Sequence, residues 1–340
     1  MKRMLLLLLA CLLLCSGAGA ANVAEEWEEP EEGVDIVISF AGDVMLASYR
    51  NETIAGNFSA YAQKSDPSYF LQNVAPIFLS DDLTVVNLEN VLTDRALAEK
   101  EKDHDPAYWY RGPSSNAEIL TSSGVEAVSL ANNHTGDYGP EGTKDTIAAV
   151  EAAGLLYGSN SRTFYFEKEG YRIAVICHGL WNEGQANEIV RRIQKAEEES
   201  DFQIVFYHGG KEKAHAPEDW RQRASRRPVD AGADLVIGNH PHVLQPRETY
   251  QGTDIVYSMG NFCYGGSKYP ENRTIIYQLK LHIDGDGQLE SKTGEIIPCY
   301  VYTGSTGNNY CPAVITDEDE VRQVLEFMDG KTASPLESLQ

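Results

Sequence analysis

Gly238-Asn239-His240-Pro241-His242 closes an apolar run at residues 234–237 and sets two imidazoles one residue apart. On an extended segment both rings can turn toward one centre, or one can bind a ligand while the other supports it. Two solvent-facing loop histidines are the plain structural alternative. Similar polar punctuation follows other β-rich runs. Asp43 follows residues 34–40, and Asn87 and Glu89 follow 83–86. Asn133 and His134 follow 125–130, and His178 follows 171–177. His208-Gly209-Gly210-Lys211-Glu212 follows 202–207, and Asn261 follows 255–259. Strand alternation puts Asn87 and Glu89 on the same side. Carboxylate, amide and imidazole donors suit hard or borderline divalent ions such as Zn, Mn or Fe. Taken singly, each residue has a structural use: Asp43 can cap a helix, and Asn87 and Glu89 can cap a turn. Arg111, among Tyr108, Trp109 and Tyr110, can present a guanidinium to an anion or sit in a plain surface strand. Lys211 is equally a substrate contact or a surface lysine.

The donors must be positioned by strands that alternate with helices. Helical patterns cover residues 67–79, 114–123, 141–153, 187–199, 217–231 and 317–329. The fifth carries a basic flank of Arg221, Arg223, Arg226 and Arg227. Residues 274–283 and 290–302 form a late hairpin that turns at 284–287. Strands interleaved with helices predict one α/β domain. In open sheets of that kind, ligand sites lie outside the carboxyl ends of the strands. The scattered Asp, Glu, Asn and His residues therefore converge on one sheet edge.

The net charge of -23 argues against sequence-independent nucleic-acid binding, which needs clustered Lys and Arg. An anionic substrate remains compatible if a metal or a few cations supply local positive charge. Residues 1–20 read as an export signal: Lys2 and Arg3, a leucine-rich run, then Ala18-Gly19-Ala20. An uncleaved membrane anchor and lipidation at Cys11 are the alternatives for this segment. Residues 21–33 crowd six glutamates into an acidic linker, and 331–340 form a polar tail. The expected location is extracellular or at the cell envelope, where disulfides are permitted. Cys299 and Cys311 flank a loop and could close it, whereas Cys177 and Cys263 lie in apolar segments.

Several of these stretches, in this order, resemble the motifs of the bacterial CapA-type capsule-synthesis proteins associated with poly-γ-glutamate. They are Phe40-Ala41-Gly42-Asp43-Val44-Met45-Leu46, Asn87-Leu88-Glu89, Ser129-Leu130-Ala131-Asn132-Asn133-His134, the His208–Glu212 stretch, Gly238–Gln245 and Tyr257–Phe262. That family is similar to the calcineurin-like metallophosphoesterases. The resemblance implies a four-layer α/β/β/α sandwich over residues 34–330 and a divalent-metal site at the strand ends. It implies Asp43, Glu89, Asn133, His208, His240 and His242 as metal ligands, and His134 as general acid or transition-state stabiliser. Arg111, Lys211, Glu212, Asn87, His178 and Asn261 are candidates for catalysis, substrate contact or support. Met45 stands where the metallophosphoesterases carry a histidine, Gly209 where the capsule family usually has Trp, and Asn239 where it has a further histidine. The function classes implied are a phosphoester hydrolase, a γ-glutamyl hydrolase or transferase, and a non-catalytic assembly or export factor. The partners implied are an anionic polymer or phosphoester and a membrane-bound capsule-synthesis machinery.

Overall fold

The computed structural model describes residues 33–103, 105–265, 268 and 272–339. The expected export signal and nearly all of the acidic linker lie outside the described residues. Among the described residues, no helix is long and apolar enough to cross a membrane.

Two sheets pack face to face. The first has seven strands, in the spatial order Ala313–Val314, Leu289–Tyr300, Arg273–Ile283, Val34–Val44, Leu83–Leu88, Ala127–Ser129 and Leu156–Gly158. The second has six, in the order Leu244–Tyr250, Thr253–Met259, Leu235–Asn239, Phe202–His208, Tyr171–Gly179 and Thr163–Lys168. The central strands and the Leu156–Gly158 edge are parallel, and the other flanking strands are antiparallel. Alternation sorts their side chains. Ile36, Ile38, Phe40, Leu83 and Val85 from the first sheet meet Ile173, Val175, Ile204, Phe206 and Ile237 from the second in one inner core. Phe40 and Phe206 join across it, ring centroids 5.8 Å apart.

The opposite faces carry separate outer cores. Val86, Leu88 and Val128 pack under Val150 and Leu120 from the helices Gly139–Ala152 and Glu118–Thr121. Ala174, Ile176, Val205 and Val236 pack under Ile189, Ile193 and Ala224 from the helices Ala186–Ala196 and Asp219–Asp230. The layers are therefore α/β/β/α, as expected. Each such fully buried aliphatic side chain contributes about 1.5–3 kcal/mol.

Several local expectations change. The helix over 67–79 breaks into two single turns, Pro67–Tyr69 and Ala75–Phe78. Strands at Thr163–Lys168 and Leu244–Tyr250 were not legible, because edge strands that face solvent dilute the apolar pattern. The late hairpin forms as read. Cys299 and Cys311 do not bridge; all four cysteines in the described residues are free and buried. The Cys311 thiol lies 3.2 Å from the Tyr69 carbonyl and the Cys299 thiol 3.5 Å from that of Ile297, so the two sulfurs serve different neighbours. The basic flank is neutralised as well. Arg223 pairs with Glu183 and Arg226 with Glu248, while Arg221 is fully buried.

At the end of the first sheet away from the strand-end donors, Thr84 sits between two carboxyl groups. Its amide donates to Glu126 Oε2 at 2.7 Å and its hydroxyl to Asp81 Oδ2 at 2.8 Å. Burial raises Glu126 to about 7 and Asp81 to about 6. A folded-state pKa above the unfolded value of about 4 means the native state holds the proton more tightly. This contribution to stability is complete below the unfolded value and is lost as pH rises through 6 and 7. The melting temperature should therefore fall between pH 5 and pH 8. Glu126→Gln, which keeps an acceptor for Thr84, should flatten that slope in thermal melts.

Candidate metal centre

Asp43 reaches its place through an irregularity in its strand. Along Val34–Val44, Phe40 faces the inner core and Ala41 the outer one. Simple alternation would send Asp43 to the outer, apolar side. The register instead shifts between Ala41 and Asp43, so that Ala41 pairs with Val86 and Asp43 with Asn87. The extra residue, Gly42, turns Asp43 onto the inner face beside Asn87, and Val44 returns to the outer core. Gly42 has no room for a side chain, since a Cβ there would stand 2.0 Å from the Gly260 carbonyl oxygen. The Asp43 amide donates to that same carbonyl at 3.0 Å, and the Phe262 amide donates to the Asp43 carbonyl at 2.8 Å. The two sheets are thus stitched together at the end where the donors collect.

Asn87 and Glu89 continue the inner face of Leu83–Leu88. Asn87 Nδ2 donates to Asp43 Oδ1 at 2.8 Å and lies 3.0 Å from His208 Nδ1. His208 extends the inner-face series Ile204, Phe206. Its Nε2 lies 2.8 Å from Asn133 Oδ1 and 3.0 Å from His240 Nδ1. His240 and His242 reach inward because both adopt positive φ, 98° and 58°. Such backbone is costly outside glycine and gathers at functional sites. The His240 amide donates to Asp43 Oδ2 at 3.2 Å, and His242 Nδ1 lies 3.2 Å from the same oxygen. Asn261 Oδ1 sits 2.8 Å from His242 Nδ1.

Glu89 is fully buried, and neither carboxylate oxygen has a hydrogen-bond partner. Oε1 lies 3.4 Å from His208 Nε2, 3.8 Å from His242 Nε2 and 4.0 Å from His134 Nε2. A buried carboxylate left without donors is expensive unless a cation satisfies it. The donor atoms form two overlapping groups, Glu89–His240–His242 and Asp43–Glu89–His208, each within 4.8 Å. Both share Glu89. The residues present therefore fit a divalent ion.

Titration behaviour agrees with that chemistry. Burial works against the charge of Asp43, yet hydrogen bonds from His208 and His242 hold its carboxyl far below the usual range. Burial also opposes protonation of His242, but the Glu89 charge and the Asp43 hydrogen bond raise it to about 9. Burial and the neighbouring His208 and His242 lower His240 to about 2, which keeps its lone pair free.

His134 approaches the cluster from the first sheet. Its Nδ1 lies 2.8 Å from Asp137 Oδ2, and Tyr110 meets its ring edge-on at 4.9 Å. The sequence reading missed Asp137. The signal available for it was an Asp three residues after the His, within one turn. Lys102 pairs with Asp137 Oδ1 at 2.6 Å and ties the charged excursion at residues 94–103 and 105 to this pair. Asn132 holds the loop: its Oδ1 accepts from the amides of His134 and Thr135. Trp181 was also missed. Its half-exposed ring stands edge-on to His240 at 4.9 Å and to His208 at 5.6 Å. In front of His134 opens a cleft of about 670 Å³, lined by residues of the excursion together with Asn133 and Glu212.

Other candidates lie apart from the cluster. Arg111 places its guanidinium 5.2 Å over the Tyr138 ring and donates to the Arg95 carbonyl at 2.9 Å. His178 bonds the Gly179 carbonyl through Nδ1 at 2.6 Å, on the strand face opposite that of Cys177. Lys211 is exposed. Met45 is buried, with its amide on the Cys263 carbonyl, and adds no nitrogen or oxygen donor. A Cβ at Gly209 would stand 1.9 Å from the Leu180 carbonyl oxygen, so no tryptophan fits there in this chain.

Residues 37–265 match the family described as bacterial capsule synthesis protein PGA_cap. The chain belongs to that family. The PGA biosynthesis protein CapA of Bacillus subtilis is 29% identical over 280 residues, covering 75% of this chain and 72% of that protein. The capsule biosynthesis protein CapA of Bacillus anthracis is 25% identical over 302 residues, covering 81% and 69%. Among solved structures, a 5'-nucleotidase precursor from Thermus thermophilus aligns at TM-score 0.46 and 10% identity, covering 77% of this chain and 54% of that one.

In this family member, the raised His242 pKa makes metal binding proton-linked. A histidine must be neutral to ligate, so metal uptake at pH 7 should release the proton that His242 holds. The release should shrink as pH approaches 9. Titration of metal into lightly buffered protein with an indicator dye measures it, and uptake without release would contradict the assignment.

Proposed function

We propose that this chain is an exported, metal-dependent hydrolase of capsule-polymer synthesis, working on an anionic polymer or a phosphoester intermediate beside a membrane-bound synthesis machinery. The observation that carries the reading is Glu89, a fully buried carboxylate with no hydrogen-bond donor that faces three imidazoles. Asp43, Glu89, Asn133, His208, His240 and His242 would hold the metal, and Asn87 and Asn261 would orient the ligands. A divalent ion held there supplies Lewis acidity and an acidified water. His134, fixed by Asp137, stands at the mouth of the cleft to give a proton to a leaving group or hold developing charge. Family membership and the printed names of the Bacillus relatives favour a polymer context. The export signal read at residues 1–20 favours work outside the cytoplasm.

A second reading, a non-catalytic assembly or export factor, is favoured by Met45, which takes a donor position away. Elemental analysis decides first. Purified wild type should carry Zn, Mn or Fe, and His240→Ala should lose most of it. The number of ions per chain tests whether two sites share Glu89. Release of glutamate from poly-γ-glutamate, set against cleavage of a generic phosphodiester, identifies the bond. On whichever substrate turns over, His134→Gln should lower kcat by about 10²–10⁴ while metal content holds. Metal-free wild type whose function in cells survives His134→Ala would leave the assembly-factor reading standing.

A further inference from the structure

Arg221 is the largest fully buried side chain among the described residues, with 0% exposure. It lies in the first turn of the helix Asp219–Asp230, between the His208 strand and the Leu235–Asn239 strand. Its Nη1 donates to the Gly209 carbonyl at 2.7 Å, one residue past His208. Its Nη2 donates to Gln245 Oε1, three residues past His242. Its Nε pairs with Glu218 at 3.3 Å. Gln245 in turn donates to the Ala214 and Ala216 carbonyls at 2.6 and 3.2 Å. The same two loops are laced by Gly209 N–H to the Asn239 carbonyl at 3.1 Å and by Lys213 N–H to the Pro241 carbonyl at 2.9 Å. Gly210, at φ 109°, makes room for the guanidinium, since a Cβ there would stand 2.4 Å from Nη1.

A buried cation is a poor way to gain stability, because apolar side chains of similar volume usually serve as well or better. What the guanidinium supplies, and an apolar side chain cannot, is a planar fork of donors with fixed directions. Here the fork spans the loop after His208 and the strand after His242. Those histidines belong to different loops, and His240 and His242 hold strained backbone that neighbouring structure must over-determine.

We propose that Arg221 is a positioning residue for the metal centre, a buried tie that locks the His208 loop and the His240–His242 loop in one register. It touches neither the cluster nor the cleft. The loop-locking part stands on geometry alone. Its consequence for the metal rests on the proposed metal-dependent site.

The experiment uses the full chain with Arg221→Met and Arg221→Lys. In metal-free protein, the Gly209 and Lys213 amides should exchange about tenfold faster in Arg221→Met, while central-strand amides such as Val205 keep their protection. In Co(II)-loaded protein, affinity by chelator competition should weaken about 10–100-fold, with displaced d–d bands. Arg221→Lys, which can hold one acceptor but not both, should recover part of each effect. If Arg221→Met does not fold, Gln245→Leu removes one of the two acceptors and should show the same pattern at smaller size. Unchanged exchange at Gly209 and Lys213 in a folded variant overturns the proposal. Faster exchange with native Co(II) affinity and bands overturns the positioning role. Absence of metal binding in wild type counts against the proposed centre instead, and the exchange result still decides whether Arg221 ties the loops.

Discussion

The structure turns on how two buried carboxylates are accommodated where two sheets meet. Asp43 and Glu89 are each fully excluded from solvent. Isolated carboxylates in such surroundings would neutralise or unfold the site. Asp43 is compensated within the chain by the Asn87 amide, the His240 N–H and the two imidazoles of His208 and His242. Glu89 is compensated only by facing imidazoles, with no hydrogen bond of its own. That asymmetry is what a bound cation would relieve. Against burial, the Glu89 charge and the Asp43 hydrogen bond push His242 up, whereas burial and the neighbouring imidazoles push His240 down.

Everything around the pair serves to hold it there. The inner core, built from alternate residues of both sheets, fixes how the sheets face each other. The shift at Gly42 brings Asp43 inward, and the backbone bonds from Asp43 to Gly260 and Phe262 close the seam. The positive-φ backbone at His240 and His242 is sustained by contacts on both sides, Asp43 and Asn261 on one and the Arg221–Gln245 network on the other. A sandwich of this kind lets the carboxyl ends of strands from distant parts of the chain meet without a long loop.

The approach to the cluster is built from a different part of the chain. The charged excursion at residues 94–103 and 105 is anchored by Lys102 on Asp137, by Arg50 on Glu99 and by Trp109, which donates to the Lys100 carbonyl. It thereby walls the cleft in front of His134 while it orients the Asp137–His134 pair. Lys102 is spent on Asp137, and Glu101, Asp103, Asp105 and Glu212 outnumber Lys100 along the cleft, so its wall is net negative. The arginines of the helix Asp219–Asp230 do not help, since they are paired with Glu183 and Glu248 or buried.

The sequence by itself determined an α/β domain with candidate donors at its strand ends, and the family resemblance carried the four-layer order. Apolar runs punctuated by Asp, Asn, Glu and His are a local signal, and each donor sits at or within a few residues of the carboxyl end of its own strand. Asn87 and Glu89 could be placed on one side because alternation needs no partner. The tertiary structure decided what depends on pairing. Only register with Leu83–Leu88 makes Gly42 the residue that turns Asp43 inward. Arg221 read as one of a surface row because burial of a polar side chain leaves no mark in periodicity. Asp137 and Trp181 acquired roles only when loops folded against His134 and His240. Arg111 went the other way, drawn to Tyr138 and the Arg95 carbonyl. Hydrophobic pattern records which way a residue faces along its own strand, but hydrogen bonds between distant segments are settled only when the two sheets close.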